Sequence, residues 1–115
     1  MVADDTLTFR VLLEPRQSEP NIWVAECLET GFIATGVGYD EAREGILETL
    51  RREAVYAREN GRSLARRPTP VDLEERWETV TRGHPPTTIE LFPEERKRPG
   101  RVTAVEHVAV ARSVG

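Results

Sequence analysis

The most reactive side chains in this 115-residue chain are those of one cysteine and two histidines. Cys27, His84 and His107 fall in three different predicted elements, and no HxH or HxxxH pattern occurs. A metal centre needs three or four ligands at suitable spacing, and a lone cysteine excludes an internal disulfide. A Cys–His nucleophile–base couple would need two of these elements to meet, which no spacing predicts. We therefore predict no metal site.

Carboxylates and glycines give no catalytic pattern either. Glu14, Glu26 and Glu29 lie near predicted strand ends, but two-metal catalysis needs several converging acidic side chains, and no aspartate lies within a predicted strand. The segment Gly36–Gly38 superficially resembles a phosphate-binding loop. It lacks the P-loop lysine and the third glycine of GxGxxG, which is Glu41 here. We predict that the chain is not an enzyme and binds no cofactor.

Charge is distributed unevenly along the chain, which has a formal net charge of −4. Residues 1–60 hold six arginines against twelve acidic residues, a net of −6. Such a half would repel a phosphate backbone and favour a basic protein partner. The second half contains basic clusters among prolines and glutamates: Arg62, Arg66, Arg67, Arg96, Lys97, Arg98 and Arg101. No aromatic residues interleave with them, so direct nucleic-acid binding is the minority interpretation.

Three strands with short connections are predicted at the start of the chain. From Thr6 to Glu14 apolar and polar residues alternate, which is typical of a half-buried strand, and Pro15 ends it. Ile22–Glu29 is apolar on both sides, so we expect this second strand to be central or to lie at an oligomer contact. Phe32–Thr35 forms the third strand. The short connections favour an antiparallel meander.

A long amphipathic helix is predicted over Tyr39–Asn60. Its apolar stripe recurs every three or four residues and comprises Ala42, Ile46, Leu47, Leu50, Ala54 and Ala57. Acidic residues occupy the first turns and arginines the later ones, as the helix dipole favours. Gly45, inside the helix, is expected to mark close packing against the sheet.

The second half is divided into short pieces, because six of the eight prolines lie between Pro68 and Pro99. A short helix is predicted over 71–81 and a short strand over 87–92. The segment 101–112 has the composition of a strand and is apolar on both sides. Such a strand returns to the interior of the sheet or pairs with another subunit.

Together these elements predict one α+β domain over residues 1–115. It comprises a β-meander and main helix (1–60), a proline-rich segment with a short helix (61–100) and a return strand (101–112). We expect an antiparallel sheet of about four strands, in the order β-β-β-α-β, with the long helix on one face. The strands that are apolar on both sides predict a homodimer or higher oligomer.

A membrane location is not expected. No apolar run approaches the roughly 18 residues that a membrane span needs. The N-terminus is acidic where a signal peptide would be basic. We therefore expect a cytoplasmic protein.

The stretch Trp23–Leu50 carries a more specific pattern. It contains WVAE (residues 23–26), an aromatic followed by Val-Ala-Glu in a strand, and then Gly36 before a Glu-Ala helix start at 41–42. This stretch resembles the N-terminal domain of HicB-like antitoxins. The predicted order of elements is similar to that family's meander, helix and return strand, which form a truncated RNase H-like arrangement.

Two kinds of departure limit what the resemblance implies. Thr30-Gly31 stands where the family usually has Pro-Gly, and Gly38 stands where it usually has a serine or threonine cap. Many family members continue into a DNA-binding segment. Residues 61–115 show one short helix and no second helix close to it, so DNA binding is not carried over.

The resemblance implies a non-enzymatic module that binds and neutralises a small basic RNase toxin. The candidate partner-binding residues are acidic or aromatic: Trp23, Glu26, Glu29, Tyr39, Glu41 and Glu44. The aromatics would serve as anchors, and the glutamates would face the basic partner. Two alternatives stay open: a stand-alone oligomer of the same fold with no toxin, and a nucleic-acid-binding regulator.

Overall fold

The computed structural model describes residues 5–92 and 101–109, which contain five strands and two helices. In chain order these are β1 (Asp5–Pro15), β2 (Ile22–Cys27), β3 (Ile33–Val37), α1 (Tyr39–Glu59), α2 (Val71–Gly83), β4 (Thr87–Glu90) and β5 (Arg101–Ala109). The end of the predicted return strand, 110–112, lies outside the described residues. The remaining elements lie close to their predicted positions.

The five strands form one sheet in the order β3-β2-β1-β5-β4. The predicted antiparallel meander of β1, β2 and β3 is confirmed, as are the α+β class, the long helix and the short second helix. The sheet also contains β4, antiparallel to β5, and β5 itself runs parallel to β1. A parallel return is possible because the chain between β1 and β5 is long and contains both helices.

The main core lies between the sheet and α1. Alternate residues of β1 and β2 face this helix, since successive side chains of a strand point to opposite faces. The predicted apolar stripe of α1 packs against them. Ten buried residues form this core: Phe9, Val11, Leu13, Ala25, Cys27, Ala42, Ile46, Leu47, Leu50 and Leu91.

Glycines allow β3 to pass directly into α1. A Cβ on Gly36 would lie 2.7 Å from the Ala42 nitrogen, so this approach of strand and helix requires glycine. Gly38 has a φ of 89°, in the left-handed region that favours glycine, which explains why no serine or threonine cap stands there. The close packing expected at Gly45 is confirmed, because a Cβ there would lie 3.3 Å from the Ala34 Cβ.

α2 covers part of the opposite face of the sheet. Leu12 and Leu28 are buried there with Leu73 and Trp77 of the helix, and Val80 packs against this smaller cluster. Leu12 interrupts the alternation of β1, and its burial under α2 accounts for that interruption. Within the two described ranges, no helix combines the length and the apolar character needed to cross a membrane.

Candidate partner-binding surface

An aromatic cluster lies at the start of α1. Tyr39 is the first helical residue, and its ring meets that of Trp23 edge to face with centroids 5.7 Å apart. The Tyr39 hydroxyl lies 3.2 Å from Nδ1 of His107 in β5. Trp23 and Tyr39 are both half-buried and pack against the main core. Each ring therefore has a packing role and a partly exposed surface.

His107 of β5 is buried. It is 4 % exposed, and its Nε2 is buried with no hydrogen-bond partner among the described residues. Burial, and after it the nearby Arg43 guanidinium, lower the pKa of His107. The imidazole is therefore neutral at pH 7, which suits a packing role.

Arg43 connects the aromatic cluster to a row of carboxylates on α1. Its guanidinium carbon lies 5.8 Å from the centre of the Tyr39 ring, and its Nη2 donates to Glu44 Oε1 at 3.1 Å. Glu41, Glu44 and Glu48 are all exposed on α1, and we call these three residues the acidic row. It places two of the predicted partner-binding glutamates on the same helix as Tyr39.

The other two predicted glutamates lie on the α2 side of the sheet. Glu29 is 4 % exposed, and its carboxylate accepts hydrogen bonds from the Arg10 backbone nitrogen at 2.6 Å and from Arg10 Nε at 2.5 Å. The prediction that Glu29 faces a partner at the surface is therefore wrong, because its carboxylate is buried and bound by Arg10. Glu26 is half-buried, and its Oε2 lies 3.7 Å from Arg67 Nη2.

Sequence reasoning missed an ion network that attaches α2 to the sheet. We give this name to Arg10, Glu29 and Glu74. The Arg10 guanidinium donates to Glu29 and to both carboxylate oxygens of Glu74, and it lies 5.8 Å from the Trp77 ring centre. The hydrogen bond to Glu74 is the main reason why the pKa of Arg10 is raised, and the same bond lowers the pKa of Glu74. In the sequence, Arg10 is only a polar position in an alternating strand.

Sequence reasoning also missed an exposed apolar edge. β3 is the outermost strand on its side of the sheet, and its Ile33 and Val37 are 59 % and 62 % exposed. They point away from α1, because Ala34 and Gly36 between them face the helix. The predicted third strand ended at Thr35, so Val37 was not assigned to it. Extending the predicted strand to the start of the helix would have included Val37 and revealed this edge.

The basic clusters are partly engaged in contacts within the chain. Nε of Arg67 donates to the Leu28 carbonyl at 3.3 Å, and the Arg66 guanidinium carbon lies 5.3 Å from the centre of the Phe9 ring. The second cluster, at 96–98, lies outside the described residues. The contacts of Arg66 and Arg67 favour structural roles for these two side chains over phosphate binding.

Metal-ligating and nucleophilic groups do not converge in the part of the chain that the structure describes. No three His, Cys, Asp or Glu side chains come together there in a group able to hold a metal ion. Cys27 is fully buried, and this burial raises the pKa of its thiol. A buried thiol of raised pKa is a poor nucleophile.

Comparisons with known proteins identify no relative of this chain. No protein-family model, no curated protein and no solved structure matches the chain. The resemblance to HicB-like antitoxins therefore rests on the residues of Trp23–Leu50 alone.

Proposed function

We propose that this chain is a non-enzymatic, protein-binding module of the HicB-like antitoxin type, which binds and neutralises a small basic RNase toxin. The observation that supports this most is the acidic row of α1, three exposed carboxylates on one side of the helix. The meander, the long helix and the return strand are compatible with the fold that the resemblance implies.

The acidic row has the physical properties that a basic partner needs. Its carboxylates are exposed and belong to the half of the chain with a net charge of −6, so they would steer a cationic protein toward this surface. Within the row, Glu44 pairs with Arg43 of its own helix. Tryptophan and tyrosine are enriched in binding hot spots, and the half-buried Trp23 and Tyr39 lie together at the start of α1.

The proposal is tested by affinity purification from native lysate with the tagged full-length chain at low and moderate salt, followed by mass spectrometry. We expect a small basic protein to co-elute in stoichiometric amount and to be lost at the higher salt. Charge reversal in Glu41→Arg/Glu44→Arg should abolish its recovery. The matched control, Glu75→Arg/Glu78→Arg, reverses two exposed glutamates of the same spacing on α2 and should leave recovery unchanged.

Two results would contradict the proposal. One is the recovery of the tagged chain alone, as an oligomer, which would favour the stand-alone alternative. The other is equal recovery of a partner by both charge-reversed variants, which would place binding elsewhere.

The predicted homodimer or higher oligomer stays a prediction. Light scattering at micromolar concentration tests it, and a monomer mass would contradict it.

A further inference from the structure

We propose that the basic partner docks by adding an extended strand, in which apolar and basic residues alternate, to the outer edge of β3. This inference rests on the proposed function and specifies how the partner is held. Strand addition to an exposed sheet edge is a general mode of peptide recognition, in which backbone hydrogen bonds give affinity and alternate side chains give specificity.

The backbone of β3 is oriented for this addition. Its hydrogen bonds to β2 use alternate residues: the Cys27 nitrogen donates to the Phe32 carbonyl at 2.9 Å, and the Gly38 nitrogen donates to the Asn21 carbonyl at 2.8 Å. In an antiparallel pair the residues between such positions point their N–H and C=O groups outward. In β3 these residues are Ile33, Thr35 and Val37.

The edge of β3 lacks the usual barriers to strand addition. Natural edge strands are commonly protected by charged side chains, proline or a covering element. Residues 33–37 read IATGV, with no charge and no proline. Within the described residues, no sixth strand pairs with this edge. Its outward backbone groups are therefore accessible to another chain.

The two sides of this edge have different chemistry. On the face away from α1, Ile33 and Val37 are exposed and apolar. On the α1 face, Glu41 lies directly over the strand, since a Cβ added to Gly36 would be 2.8 Å from the Glu41 Cβ. Glu48 follows two helical turns later on the same side of α1 and is exposed.

An added strand would present its side chains alternately to these two sides. Apolar residues would lie beside Ile33 and Val37, and basic residues would lie beneath Glu41 and Glu48, where opposite charges stabilise the pairing. This charge complementarity selects a partner whose exposed strand alternates between apolar residues and lysine or arginine.

A second copy of the chain fits the edge less well. Antiparallel pairing of two β3 strands about a two-fold axis at Thr35 would bring the two α1 helices side by side. Glu41 and Glu48 of one copy would then face the same residues of the other, and like charges in such an arrangement repel. The edge therefore favours a basic partner over self-association.

The test uses a short, end-capped synthetic peptide of alternating valine and arginine, titrated into the isotopically labelled full-length chain and followed by NMR. We expect the largest chemical-shift changes at the amides of Ile33, Thr35 and Val37, with no binding of the same peptide carrying glutamate in place of arginine. Shift changes centred on any other element would overturn the inference.

Two variants separate the backbone and charge contributions. Thr35→Pro removes an outward N–H without removing a bond to β2, which an edge strand tolerates, and we expect affinity for the peptide to fall about tenfold. The control Thr35→Val keeps that N–H and should bind like the parent chain. Glu41→Gln/Glu48→Gln should weaken binding and flatten its salt dependence. If Thr35→Pro does not fold, unchanged affinity in the glutamine variant overturns the inference by itself.

The purified partner distinguishes this inference from the proposed function. A basic partner that binds the Thr35→Pro and Thr35→Val chains equally would overturn edge addition and leave the proposed function standing. If no basic partner is recovered while the peptide still binds at β3, the proposed function is contradicted and edge addition is supported.

Discussion

The two faces of the sheet are covered by different means. The α1 face holds ten buried residues in one apolar cluster, whereas the α2 face holds four, together with the ion network. Apolar burial stabilises in proportion to area and without direction, whereas hydrogen-bonded charges fix orientation and contribute less net stability. The comparison indicates that α1 and the meander form the stable unit, and that α2 is attached to it at a few specific contacts.

This difference matters for the proposed function. The acidic row and β3 both belong to the unit of α1 and the meander, in which Gly36 and Ala34 pack closely against the helix. A binding surface on the stable unit is held in position before the partner arrives, which lowers the entropic cost of association.

The largest effect is expected from Leu50→Ala in the α1 core. Leu50 is 0 % exposed, and we expect the free energy of unfolding to fall by about 3–4 kcal/mol through lost burial and a cavity. The matched substitution on the other face, Leu73→Ala, removes a residue that is 8 % exposed and should cost about 2 kcal/mol. Urea denaturation monitored by circular dichroism measures both, and equal losses would contradict the comparison.

Arg10→Met should have the next largest effect. The substitution removes the guanidinium that pairs with the buried Glu29 carboxylate and keeps the backbone N–H of residue 10, and we expect a loss of about 2–3 kcal/mol in unfolding free energy. Adding Glu29→Gln to Arg10→Met should recover part of this loss, as coupled neighbours do in a double-mutant cycle. If neither Arg10→Met nor Glu74→Gln lowers the free energy of unfolding, the ion network does not hold the helix.

A smaller effect concerns pH. Because the pKa of His107 lies below its ordinary value of 6.5, the unfolded chain takes up the proton first as the pH falls. The free energy of unfolding should therefore decrease as pH drops below 6.5, until the folded-state pKa is passed. His107→Asn should remove this component of the decrease between pH 7 and pH 5. An unchanged pH dependence in that variant would show that His107 does not contribute.

The smallest effect is expected from the ion pair between Arg76 and Glu14. Both side chains are substantially exposed, at 47 % and 31 %, and exposed pairs contribute little. Arg76→Ala should change the unfolding free energy by less than about 0.5 kcal/mol. A loss as large as that of Arg10→Met would mean that α2 is held by its outer charges instead of by the ion network.

Most of the fold could be predicted from local sequence patterns. The spacing of apolar residues in α1 identified five of its buried positions, Ala42, Ile46, Leu47, Leu50 and Ala57, and placed Ala54, which is half-buried, in the same stripe. Alternation located β1, and only Leu12 departed from it. These features were predictable because they depend on neighbours within a few residues. The parallel pairing of β5 was not, because β5 is far from β1 in the sequence and no local pattern sets the direction in which it returns.

The candidate surface was predictable only in part. The exposure of Glu41 and Glu44 followed from their positions opposite the apolar stripe of α1. The burial of Glu29 did not, because its partner Arg10 is 19 residues away, and Arg10 meets Glu74 across 64 residues. Acidic character alone could not distinguish a glutamate that faces solvent from one that pairs inside the protein.

Native-state hydrogen exchange of the full-length chain tests the central difference between the two faces most directly. We expect the amides of α1 and β2 to exchange only through global unfolding, and the amides of α2 to exchange through a local opening of lower free energy. Equal opening free energies for α1 and α2 would contradict this account, because they would mean that the ion network and the small apolar cluster hold α2 as firmly as the main core holds α1.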